Sequence, residues 1–155
     1  MAGTVEQRLK SLGLELPKAS TPAANYVPTV TTGNLVFVAG QVTFWNGELK
    51  FVGKVGRDFT VEQARDAARL CALNLLAHLK TACQGDLDRV RRCVKLGVFV
   101  NCTEGFDRQP EVANGASDLM VELFGDAGRH ARFAVGSHAL PRNVAVEVDG
   151  VFEIA

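Results

Sequence analysis

The sequence carries no net charge: 17 Lys and Arg balance 17 Asp and Glu across 155 residues. That balance removes the attraction that drives proteins onto phosphate polymers or anionic lipid, so nucleic-acid and membrane-surface roles start without support. No apolar run approaches the ~20 residues a membrane helix needs, and no basic stretch followed by an apolar core opens the chain, so the expected location is cytoplasmic with no membrane partner. Aromatics are scarce at 7%, with one Trp and one Tyr, and none alternate with basic residues in the way that grips single-stranded nucleic acid. The four cysteines, Cys71, Cys83, Cys93 and Cys102, are separated by 12, 10 and 9 residues. They form no C-x-x-C pair and have no histidine at ligand spacing, which disfavours zinc and leaves small buried thiols as the expectation. Gly53-x-x-Gly56 lacks the Lys-Ser/Thr of a phosphate loop, so no nucleotide, and more generally no cofactor or metal, is expected.

What is present describes one ordinary domain. A chain of this length buries roughly 68–70% of its unfolded surface and needs no staple. We read residues 1–155 as a single domain, with a helical appendage over 1–16 and a core over 24–155. In the appendage Thr4 is the expected cap and Gln7 its capping-box partner. Prolines between Pro17 and Pro28 mark a surface loop. Period-two patterning predicts strands at Val27–Thr32 and Asn34–Val42, joined across Gly33 as a hairpin, and a further turn at Asn46-Gly47. Thr60 with Gln63 opens the longest helix, ending near Gln84-Gly85; a strand lies within Arg89–Cys102, and Pro110 sits in the first turn of a second long helix that stops at Gly125. Gly115 inside that helix points to a close contact. Two strands, Ala131–Leu140 and Asn143–Ile154, finish the chain around Pro141-Arg142. The order ββ(β)αβαββ predicts an α+β sandwich, a mixed sheet with two helices packed on one face.

Chemistry-bearing residues concentrate near the end. Arg132 shares a strand face with Ala134 and Gly136, whose small side chains leave room for a guanidinium fork to grip a carboxylate. Glu147 and Asp149 share one face of the last strand. Antiparallel pairing about Pro141-Arg142 would set Arg132 opposite Gly150 and bring both acids close to it. Ser137 and His138 are adjacent and so point to opposite faces, which disfavours a serine hydrolase. His78 reads as a packed helix residue, and His130 adjoins Arg132 as a candidate accessory residue.

The ordered segments Gly33-Asn34-Leu35-Val36-Phe37-Val38-Ala39-Gly40-Gln41, Gly85-Asp86-Leu87-Asp88-Arg89-Val90, Ala131-Arg132, Leu140-Pro141 and Val146-Glu147-Val148 resemble the RidA family of reactive enamine/imine deaminases, also called YjgF-like or L-PSP endoribonuclease. The resemblance spans about residues 24 to 155. It implies a chorismate-mutase-like sandwich, a homotrimer with a cleft between subunits, and hydrolysis of 2-imino acids and their enamine tautomers to 2-oxo acids and ammonia without metal or cofactor. By position it implies Arg132 as the carboxylate clamp, Glu147 as the acid orienting water, Tyr26 as a cleft aromatic, and Gly40 and Gln41 near the pocket. Asn114 or Ser117 would stand for the family's cleft-facing Asn, with Ala134 contributing backbone. The chain departs from the pattern at Ala39 (usually Ser), His130 (usually Pro) and Ala134 (often Cys). The alternatives are a non-catalytic trimer that binds a small carboxylate and regulates a partner, and a ribonuclease.

Overall fold

Thr60 caps the longest helix as its spacing with Gln63 predicts. Its hydroxyl accepts from the Gln63 N–H at 3.2 Å, while its own N–H donates to Gln63 Oε1 at 2.9 Å. In this computed structural model, which describes residues 3–22 and 24–155, the helices are α1 (Thr4–Ser11), α2 (Val61–Ala82) and α3 (Gln109–Phe124). The strands are β1 (Thr29–Thr32), β2 (Leu35–Gln41), β3 (Phe44–Trp45), β4 (Glu48–Leu49), β5 (Val90–Asn101), β6 (Ala131–Ser137) and β7 (Val146–Ile154). Five of them form one sheet in the order β1-β2-β7-β5-β6, in which only β5 and β6 run parallel. Helices α2 and α3 cover one face, burying Ala64, Ala68, Cys71, Leu75 and Leu119 with the sheet residues Leu96, Val98, Val146 and Val148. The fold is the expected α+β sandwich. None of the described helices is long and apolar enough to cross a membrane.

Local chemistry explains most boundaries. Thr32 pairs with Leu35, leaving Gly33-Asn34 as a two-residue turn with Gly33 at φ 58°. Asn46 and Gly47 are both left-handed, at φ 49° and 87°, the combination that a tight hairpin between β3 and β4 requires. Within β5 the simple alternation fails at Val94. A register shift between Cys93 and Lys95 buries Cys93 and turns Val94 partly outward, as a bulge does.

Two expectations are corrected. The final strands do not form a hairpin, because β5 lies between β6 and β7. The alternation of β7 buries Val146, Val148, Gly150, Phe152 and Ile154 on the helix side, which suits a central strand; β6 is only partly covered along its length and takes the edge, reached from β5 by the α3 crossover. The N-terminal helix is docked, not appended: Val5 and Leu9 are buried in the core, and Arg8 Nη1 donates to the Leu123 carbonyl at 2.6 Å. Thr4 is its first helical residue, not its cap. The cap comes from Asp88, whose carboxylate accepts from the N–H groups of Thr4 at 2.8 Å and Val5 at 2.9 Å, bonds that hold its carboxyl below the usual range.

Gly115 faces α2 so closely that a Cβ there would collide with the Arg65 backbone carbonyl. Gly115→Ala should therefore destabilise the fold by about 1–3 kcal/mol, overriding the roughly 1 kcal/mol of helix propensity gained. Urea unfolding of wild type and variant measures this; a more stable variant would contradict the contact.

Candidate active site

Arg132 is held on the helix side of the sheet. It pairs in register with the buried Leu96, and its Nη1 donates to Asn114 Oδ1 at 2.8 Å and to Ser117 Oγ at 3.1 Å. Asn114 and Ser117 are three residues apart on α3 and so share one helix face. Both sequence candidates for the cleft polar group thus converge on the same guanidinium. Ser117 Oγ lies 2.9 Å from His130 Nε2, and His130 Nδ1 lies 2.6 Å from the Gly128 carbonyl oxygen. Since a carbonyl only accepts, Nδ1 carries the proton, Nε2 accepts from the Ser117 hydroxyl, and the Ser117 oxygen accepts from Arg132. Burial, aided by the Arg132 charge, holds the His130 imidazole below its ordinary range against the opposing Gly128 bond, which favours this neutral tautomer. The chain Arg132–Ser117–His130–Gly128 is polarised in one direction. It fixes the half-buried fork while its Nε and Nη2 edge makes no hydrogen bond to a described residue. Ala134, two positions along β6 on the same face, packs against the core.

Glu147 lies on the opposite, uncovered face, in register with Phe99. Gly40 approaches it so closely that a Cβ there would come within 2.5 Å of Glu147 Oε1. Burial, with the neighbouring Asp149 charge adding to it, pushes the Glu147 carboxyl above the usual carboxylate range. The carboxyl borders a recess of about 390 Å³ with Phe99, Ser137 and Leu140, and a larger cavity of about 570 Å³ that also includes Tyr26, Gly40 and Gln41. Gln41 is itself buried, its Nε2 donating to the Ala39 carbonyl at 3.0 Å. Four predicted residues, Tyr26, Gly40, Gln41 and Glu147, therefore meet at one place. A comparable cavity of about 600 Å³ beside Leu16, Pro17 and the end of α2 has no acid or histidine in its lining.

The contact at Gly40 gives a separable test. Glu147 Oε1 is the free end of a flexible side chain, so Gly40→Ala should leave the fold intact while displacing the carboxylate. Unchanged thermal unfolding with a shifted titration of the Glu147 carboxyl, read by NMR, is the expected pair of results.

Sequence reasoning placed Arg132 beside Glu147 and Asp149. In one chain they are not neighbours: β5 separates their strands, and the two side chains leave opposite faces of the sheet. The uncovered face is apolar for a surface, with Val30 54%, Phe37 45%, Phe99 37% and Val135 42% exposed. Phe133 stacks edge-on against Phe99 at 5.2 Å, with Lys95 Nζ 5.5 Å above its ring. The cysteines are free; Cys71, Cys83 and Cys93 are buried and Cys102 partly so, and burial pushes the Cys93 thiol up to about 12, far from a nucleophile. Among the described residues no cluster of three or more His, Cys, Asp or Glu is arranged to hold a metal. Sequence reasoning missed the cavity residues Lys18 and Arg142, because a loop residue's direction has no periodic signature.

A family model described as "YjgF/chorismate_mutase-like, putative endoribonuclease" matches residues 6–153. Protein TCP17 of Trypanosoma cruzi is 46% identical over 154 residues, covering 99% of this chain and 96% of that protein. A crystal structure of a protein of unknown function from Agrobacterium tumefaciens is 47% identical with a TM-score of 0.92, covering 98% of this chain and 93% of the other. RidA from a Psychrobacter species is 25% identical with a TM-score of 0.60 over 88% of this chain and 94% of its own. The chain therefore belongs to the YjgF/RidA family, with its chorismate-mutase-like fold.

Proposed function

We propose that the protein hydrolyses small 2-imino acids and their enamine tautomers to 2-oxo acids and ammonia, in a cleft where the Arg132 side of one copy meets the uncovered sheet face of another within a homotrimer. The observation that carries this reading is the separation of the two constellations. A fixed cation with a free hydrogen-bonding edge and a half-buried acid leave opposite faces of one sheet, so they complete one site only across an interface. The exposed Val30, Phe37, Phe99 and Val135 supply apolar surface for that interface.

The chemistry needs positioning and one proton-handling group. Arg132 grips the substrate carboxylate through its free edge. Glu147 accepts a proton from water as the water oxygen bonds to the carbon of the protonated imine, and the C=N electron pair moves to nitrogen to give a neutral carbinolamine. Glu147 returns that proton to the amino nitrogen. The C–N bond then breaks as the carbinolamine O–H gives its proton to Glu147 and forms the C=O of the 2-oxo acid, and the departing ammonia carries that proton away as ammonium. The raised pKa of Glu147 suits both directions of transfer.

The test generates 2-iminobutyrate with an amino-acid oxidase and follows imine loss with and without the protein. It then mixes Arg132→Ala with Glu147→Gln under exchange of subunits. Each variant alone should be strongly impaired, whereas mixed trimers should regain activity above the mean of the two because some clefts hold both native side chains. No wild-type acceleration defeats the reading; wild-type activity without complementation defeats the shared cleft. Ala39, where active relatives are expected to carry Ser, favours a second reading, carboxylate capture without turnover. Binding of 2-oxobutyrate with no imine hydrolysis would select it.

A further inference from the structure

The cavity beside Glu147 contains two cations that the proposed hydrolysis does not use. Lys18 and Arg142 both line it, with Ser20, Thr21 and Gln41 as neutral polar neighbours. Neither the Lys18 ammonium nor the Arg142 guanidinium makes an ion pair or hydrogen bond with any described residue, although six other Lys or Arg side chains pair with acids.

Their backbones are nevertheless pinned. The Lys18 N–H donates to Asn46 Oδ1 at 2.8 Å. Arg142 and Asn143 are successive left-handed residues, at φ 56° and 58°, a conformation that costs side-chain-bearing residues of order 1 kcal/mol or more each and tends to persist where function requires it. Buried Asn101 holds them there: its Nδ2 donates to Asn143 Oδ1 at 3.1 Å and to the Val144 carbonyl at 3.0 Å, while Lys54 Nζ donates to its Oδ1 at 2.8 Å. The strained turn therefore presents Arg142 to the cavity from a fixed base.

Charge completes the argument. The lining has two cations and one acid, Glu147. With no acid paired to either cation, their charge is available to a ligand in the cavity. A pocket of about 570 Å³ is ample for a small acid with two ends.

We propose that Lys18 and Arg142 form a second anion subsite, so that the preferred substrates are 2-imino dicarboxylates. Arg132 of a neighbouring copy would hold the carboxylate next to the imine, and Lys18 with Arg142 would hold the terminal one. This assignment rests on the deaminase reading for its substrate but not for its ligand chemistry, and the experiment separates the two. Calorimetry compares 2-oxoglutarate with 2-oxobutyrate on wild type and on the Lys18→Gln/Arg142→Gln double variant. In parallel, kcat/KM is measured on the imines of glutamate and of 2-aminobutyrate.

The expected result is at least tenfold tighter binding and higher kcat/KM for the diacid, with both ratios falling to about one in the double variant. Diacid-selective binding that depends on the two cations, without imine hydrolysis, keeps the subsite and removes the deaminase reading. Imine hydrolysis without diacid preference, or a preference that survives the double substitution, overturns the subsite. Failure of 2-oxoglutarate to bind the wild type overturns it as well.

Discussion

Glu147→Gln should reduce imine hydrolysis by about 10²–10⁴-fold, the range typical for losing a positioned proton-transfer group. Glutamine keeps the shape and the contact with Gly40 but cannot take a proton from water, so binding of 2-oxobutyrate should survive. The pH dependence adds a sharper check. The general base must be ionised, so kcat/KM should fall on the acid side as pH drops through the Glu147 pKa. Burial and the Asp149 charge place that inflection above the ordinary value of 4.5. Removing one of those two causes with Asp149→Asn should move the inflection to lower pH while activity at neutral pH is retained. An acid limb that ignores Asp149, or a Glu147→Gln enzyme close to wild-type rate, would assign the proton transfer elsewhere.

Arg132→Ala should cost about 2–4 kcal/mol of transition-state stabilisation, roughly 30–900-fold in kcat/KM. Most of the loss should fall on KM, because the contact with the carboxylate exists before and during reaction. Arg132→Lys should recover only part of it: an ammonium keeps the charge but cannot hold Asn114 and Ser117 while offering a second planar edge to the ligand. Steady-state kinetics on 2-iminobutyrate decides the matter. Equal activity in the lysine and arginine forms would show that charge alone suffices and that the fork has no role.

The fold was legible wherever a local pattern determines it. The Thr60–Gln63 box, the Asn46-Gly47 turn, the stop at Gly125 and the small residue at Gly115 each follow from chemistry within a few positions or from one crowded contact. The failures share a different origin. Asp88 caps a helix 84 residues away, a distance at which no spacing rule operates. The false hairpin at Pro141-Arg142 came from treating consecutive strands as paired; the β5–α3–β6 crossover sends β6 to the edge and leaves β5 between them. Arg132 and Glu147 were identifiable one at a time, yet their relation depended on sheet order, which alternation within a strand does not encode. Lys18 and Arg142 were invisible for a related reason, since one lies in a proline-flanked loop and the other in a strained turn.

The bond between Asp88 and the first turn of α1 also bears on how the chain is made. The opening N–H groups are synthesised first but find their acceptor only after residue 88 has left the ribosome. Helix α1 can thus gain its cap only after Asp88 has emerged, long after its own residues are made.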